Sequence, residues 1–83
     1  YKLYKEAKKE LRKGDLKKSG VLFKKALVIF ESDLKSSQAL LKAAELYCNG
    51  WGTESNKNKA KEYLKKAKGL GVSFVADKCL KNL

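Results

Sequence analysis

Leu3, Ala7 and Leu11 recur at intervals of four with Tyr4 beside them, an apolar stripe against a lysine-rich opposite side. That period predicts a first helix from Tyr1 to about Lys13. Gly14 and Asp15 form a tight stop, the glycine able to take a left-handed conformation and the aspartate able to cap the next helix. Leu16, Leu22, Phe23, Ala26, Leu27 and Phe30 line a second helix, with Lys17, Lys18, Lys24 and Lys25 facing away. Gly20 inside it disfavours the helix by about 1 kcal/mol relative to Ala, tolerable where neighbouring backbones approach closely. Glu31 to Lys35 reads as a polar break. Ser36 or Ser37 then caps a third helix with the stripe Leu40, Ala43, Ala44, Leu46 and Tyr47, ending at Asn49-Gly50. After a loop from Gly50 to Ser55, Ser55 or Asn56 caps a fourth helix marked by Ala60, Tyr63, Leu64 and Ala67. Gly69-Leu70-Gly71 stops that helix, and Phe74, Val75, Cys79 and Leu80 predict a fifth from Ser73 to about Asn82. The fold class is all-α, about five helices, and the short connections force consecutive helices antiparallel.

Composition narrows the chemistry. The 83 residues have room for one domain, 43% are apolar, and no proline interrupts the helical pattern. At this size folding hides only roughly 60 to 65% of the unfolded chain's surface, which leaves no second lobe around a deep cleft. The absence of histidine excludes His-dependent triads and His-ligated metal sites. The nine carboxylates are scattered among lysines, as in i,i+4 surface pairing rather than an acid/base dyad, and no glycine-rich phosphate loop opens a helix. A non-enzyme with no cofactor and no metal is the expectation. Two cysteines, Cys48 and Cys79, allow at most one bridge; each falls in a helical pattern, where Cys usually serves as a small buried hydrophobe. That reading leans towards a reducing compartment, the cytoplasm ahead of the periplasm or the exterior. The chain begins at Tyr1 and carries no apolar run of signal-peptide or transmembrane length, so it reads as a piece of something longer.

Two hairpins repeat one another. Gly14-Asp15-Leu16, Ser19, Phe23 and Ala26-Leu27 fall where a tetratricopeptide repeat places its turn and second helix, so residues 1–34 resemble that family. Ala39, Ala43, Ala44, Leu46, Tyr47, Asn49, Gly50, Gly52, Lys59, Ala60, Tyr63, Leu64, Lys66, Ala67 and Gly71 follow a related pattern in register. Residues 36–71 therefore resemble a Sel-one-like repeat, departing from it at Thr53, Asn56 and Lys68. Ala76 repeats the Ala39 position, so residues 73–83 resemble the start of a further repeat or a capping helix.

The resemblance implies a right-handed α-solenoid segment in which small residues allow close helix approach, Tyr47 and Tyr63 fill grooves, and Gly50 and Gly52 supply positive φ. Two hairpins and an orphan helix imply neighbouring repeats or another domain, and self-association through the solenoid ends. In such families the first helix of each hairpin lines a concave binding face. Carried over, this gives Tyr1, Tyr4, Lys8 and Arg12, then Gln38, Leu41, Glu45 and Asn49, then Lys78 and Asn82. A bland alternative has Tyr4 and Leu41 packing on neighbours with the rest solvated. Tyr4, Lys8 and Glu45 stand where some chaperone-binding relatives hold a carboxylate clamp, so a complete clamp is not expected. Trp51 is either a contact anchor or a lid folded over its own hairpin.

The expected function is a non-catalytic scaffold or adaptor that binds a partner protein or peptide, acidic partners included. The net charge of +11 carries an alternative, a basic module docking on nucleic acid or anionic membrane through its lysine faces. The default reading of those lysines is a solvated face, and sequence-specific DNA recognition is not expected, because nearly all the cations are lysine and only Arg12 is able to read a guanine bidentately.

Overall fold

The computed structural model describes residues 2–83 and is all-helical; Tyr1 lies outside the described residues. The elements are α1 (Lys2–Arg12), α2 (Leu16–Glu31), α3 (Ser37–Asn49), α4 (Lys57–Gly69) and α5 (Lys78–Lys81). Local chemistry sets most of these limits. The Asp15 carboxylate accepts the Lys18 backbone N–H at 3.0 Å, Ser36 accepts from Ala39, and Asn56 accepts from Lys59. Each satisfies an amide at a helix start that would otherwise lack a partner. Gly50 closes α3 in the left-handed region at φ 71°, with its N–H bonded to the Leu46 carbonyl.

Three residues separate α1 from α2, so α2 returns along α1 and brings Phe30 beside Tyr4. The packed pairs are α1 with α2, α2 with α3, and α3 with α4, while α5 rests on α3 and α4. Ala7, Ala43, Ala44, Ala60 and Ala67 are fully buried at these crossings, where a methyl lets helix backbones come close. Phe23, Leu40 and Leu46 fill the space between them. The whole measures 35 × 25 × 20 Å.

The α3–α4 loop is pressed onto α2. A side chain at Gly52 would place its Cβ 2.5 Å from the Lys24 backbone nitrogen and 2.7 Å from the Phe23 carbonyl carbon, and Gly52 also sits at φ 77°. Glycine is required there twice over, for the space and for the backbone conformation. Next to it the Trp51 ring stacks on Phe23, centroids 5.2 Å apart and planes 17° from parallel. Trp51 therefore covers the preceding hairpin rather than its own. Gly20 differs from Gly52, since nothing lies within 4 Å of where its Cβ would be. The close approach expected at Gly20 does not occur.

Three other expectations need correction. Leu16, placed in the apolar stripe of the second helix, is 69% exposed, because it occupies the first turn where α2 has not yet reached its neighbours. The fifth helix does not begin at Ser73: residues 72–77 are irregular, Ala76 is exposed, and only the single turn Lys78–Lys81 is helical. Asp77, accepting from the Leu80 N–H, starts that turn late, and the β-branched Val72 and Val75 favour extended backbone before it. Finally, Cys48 and Cys79 are not separate small hydrophobes but a disulfide spanning 31 residues, joining the end of α3 to α5. This removes the argument for a reducing compartment, since such bridges persist where thiol reductants do not prevail.

Two stability effects follow. Gly52→Ala is expected to lose about 1–3 kcal/mol from backbone strain alone, whereas Gly20→Ala gains roughly 0.5–1 kcal/mol; urea midpoints of opposite sign relative to the parent chain are the check. Cutting the bridge with Cys79→Ser releases a 31-residue loop, and loop-closure entropy predicts a loss of about 3–4 kcal/mol, read as a lower urea midpoint without reductant.

Candidate functional site

The backbones of α1 and α3 do not pack directly; long side chains span the interval between them. The central group is Glu45, 6% exposed in the middle of α3. Its carboxylate accepts the Tyr4 hydroxyl at 2.5 Å, with the Lys8 ammonium at 3.4 Å and Lys42 at 3.9 Å. A carboxylate this far from water requires such partners, because an unpaired buried charge is strongly destabilising. Tyr4 also meets Phe23 and Phe30 edge-on, each at 6.1 Å between centroids. Lys8 lies over the Tyr4 ring at 5.4 Å and the Trp51 ring at 5.3 Å, and Lys42 over the Tyr4 ring at 4.6 Å. Such cation–aromatic contacts contribute about 0.5–1 kcal/mol each at exposed sites.

This geometry sorts the residues of the expected binding face. Tyr4 and Glu45 are buried and bonded to each other. The Asn49 side-chain amide donates to the Glu45 carbonyl at 2.9 Å and to Asp77 at 3.1 Å, tying α3 to the approach of α5. Leu41 and Trp51 are half-buried, packed against the core. Arg12, Gln38, Lys78 and Asn82 are exposed, and Lys8 is half-buried between the two rings. Tyr1 falls outside the described residues.

Above the Tyr4 ring lies an open recess of about 570 Å³ lined by Tyr4, Lys5, Lys8, Lys9 and Arg12. Lys5 and Lys9 were not among the expected face residues. The signal was present, for positions 5, 8, 9 and 12 follow the i, i+3, i+4, i+7 rule and form one stripe of α1. Chemically the recess has an aromatic wall and a cationic rim, so it suits an anionic or polar segment laid across it. It holds no set of groups arranged for bond-making. Among the described residues no group of three or more His, Cys, Asp or Glu is placed to hold a metal ion, and no helix is long and apolar enough to cross a membrane.

A second polar centre lies on the other side of α3. Glu31, at the end of α2, accepts the Tyr63 hydroxyl at 2.6 Å and the Tyr47 hydroxyl at 3.1 Å, while the two rings meet edge-on at 5.9 Å. Glu31 and Glu45 are thus not the surface-paired carboxylates expected from their lysine neighbours; each is an acceptor shared between hairpins.

Burial, reinforced by the adjacent carboxylates, raises the pKa values of Tyr4, Tyr63 and Tyr47 above the ordinary tyrosine value, which is near 10. A raised value means the folded chain holds its phenol protons more tightly than the unfolded one. The stabilisation is complete below about pH 10 and declines as pH rises beyond it. Absorbance at 295 nm should show these three of the four tyrosines ionising late and together with loss of helical circular dichroism; reversible ionisation of all four near pH 10 with the helices intact would contradict the assignment. Comparison with protein-family models, with curated proteins and with solved structures finds no match to this chain.

Proposed function

We propose that this chain is a non-catalytic protein-interaction module, a helical-repeat segment of the Sel-one-like and tetratricopeptide type, that holds a partner protein or peptide on the face between α1 and α3. One observation carries the reading: the recess above Tyr4, where Lys5, Lys8, Lys9 and Arg12 form a rim over a ring already immobilised by its bond to Glu45. A preorganised wall lowers the ordering cost of binding. The solenoid geometry is likewise part of the proposal, supported by the two hairpins packed through α2 and α3 and by the fully buried alanines at their crossings.

The internal duties of Tyr4, Glu45 and Asn49 decide how the face is tested. Replacing any of them disturbs the fold together with the face, so the informative positions are the exposed Lys5 and Arg12. The immobilised chain is expected to capture a protein from source lysate at about 300 mM salt and after nuclease treatment, beyond the range of simple polyanion attraction. The Lys5→Glu/Arg12→Glu double variant, checked for unchanged circular dichroism, should weaken that capture by about tenfold or more. Capture that needs low salt or nucleic acid, or that ignores both substitutions, would remove the proposed face.

A further inference from the structure

On the outer side of α2, away from the recess, Lys17, Val21, Lys24, Lys25 and Val28 follow one another at spacings of four, three, one and three. They form a single stripe of the helix, opposite Ser19, Phe23, Ala26 and Phe30, which are buried. All five are exposed, Val21 by 52% and Val28 by 67%. Ile29 (56%) and Leu16 (69%) add aliphatic surface towards the two ends of the helix. Four of the six large apolar side chains left exposed in the described chain are therefore on α2.

Apolar side chains scattered singly over a surface need no explanation. Aliphatic side chains gathered on one helix face among lysines do, because the arrangement satisfies two requirements at once. The stripe carries no carboxylate, and among the described residues Lys17, Lys24 and Lys25 form no ion pair, while adjacent Lys18 reaches Glu10 at 3.8 Å. Charge alone would attract any polyanion. Exposed valine and isoleucine contribute only where the partner has an apolar layer directly beneath its anionic surface, which describes a bilayer with acidic headgroups. Single-stranded nucleic acid is a poorer fit, since neither an aromatic side chain nor an arginine lies on this stripe to stack on bases.

We propose that the outer face of α2 docks on an anionic lipid surface, with Val21 and Val28 seated at headgroup depth and Lys17, Lys24 and Lys25 against the acidic headgroups. The α2 stripe shares no residue with the recess on α1, so a partner can be held there while the chain rests on a membrane, and either assignment can fail without the other.

Vesicle co-sedimentation tests this directly, using phosphatidylcholine alone and phosphatidylcholine with about 30% phosphatidylserine, at about 100 mM salt. Binding is expected only to the anionic vesicles. Lys24→Glu/Lys25→Glu should weaken it by about tenfold or more, and Val21→Ser/Val28→Ser, which leaves the charge untouched, by several-fold. Lys65→Glu/Lys66→Glu removes the same charge from exposed positions of α4 and should change binding far less. All six positions are exposed, so retained circular dichroism is expected for each variant. The proposal is overturned if the anionic vesicles do not bind, if the valine pair is without effect, or if the α4 pair matters as much as the α2 pair. A short single-stranded RNA that binds more tightly than the vesicles, through the same lysines and regardless of the valines, would also overturn it in favour of nucleic acid.

Discussion

Two carboxylates determine how the hairpins of this chain sit against each other. Glu45 on α3 takes the hydroxyl of Tyr4 from α1, and Glu31 at the end of α2 takes those of Tyr47 and Tyr63 from α3 and α4. Each acid comes from one hairpin and its phenols from the other. Apolar packing tolerates small slides of one helix along another, but these hydrogen bonds do not, because a shift of a turn would leave the buried Glu45 and the half-buried Glu31 without their phenol partners. The two centres flank α3 and so constrain its rotation as well as its height. Gly52 adds a third point of register, where the loop meets the backbone of α2 with no room for a side chain.

The same arrangement divides labour on the surface. Residues expected to line a binding face are here spent partly on the fold: Tyr4 and Glu45 on each other, Asn49 on Asp77, Trp51 on Phe23. What they leave exposed are Lys5, Lys9 and Arg12 of α1, beside a Tyr4 ring held by its bond to Glu45. The outward face of α2 presents a stripe of different character, aliphatic and basic together. A small helical domain thus offers two chemically distinct faces through one pair of adjacent helices.

Much of the architecture was legible in the sequence because it depends on local chemistry. Asp15, Ser36 and Asn56 cap the helices that follow them, and Gly50 ends α3, each through bonds to residues at most four positions away. Alanines in periodic positions marked the crossings for the same reason. The partnerships that were missed join distant positions: Tyr4 with Glu45, 41 residues apart, Tyr63 with Glu31, 32 apart, and the two cysteines, 31 apart. No periodicity encodes such pairs. A carboxylate next to lysines reads as surface until the fold brings a phenol to it, and Phe74, Val75, Cys79 and Leu80 read as one helical face until Asp77 starts the last turn five residues late. On the recess, the spacing of α1 itself already aligns Lys5 and Lys9 with Lys8 and Arg12.

The bridge between Cys48 and Cys79 has a consequence beyond equilibrium stability, because the loop it closes contains the whole of α4. A chain pulled from its two ends transmits force through the sulfur–sulfur bond and leaves α4 outside the loaded path. About 100 Å of contour length is thereby withheld from extension, at roughly 3.3–3.6 Å per residue over the 31-residue span. A protease cutting anywhere inside the loop leaves two fragments still joined, with the severed ends held near the helices they belong to. The C-terminal half of the molecule is in this sense covalently cyclic, and the segment carrying Tyr63 stays within reach of Glu31 after damage that would separate a linear chain.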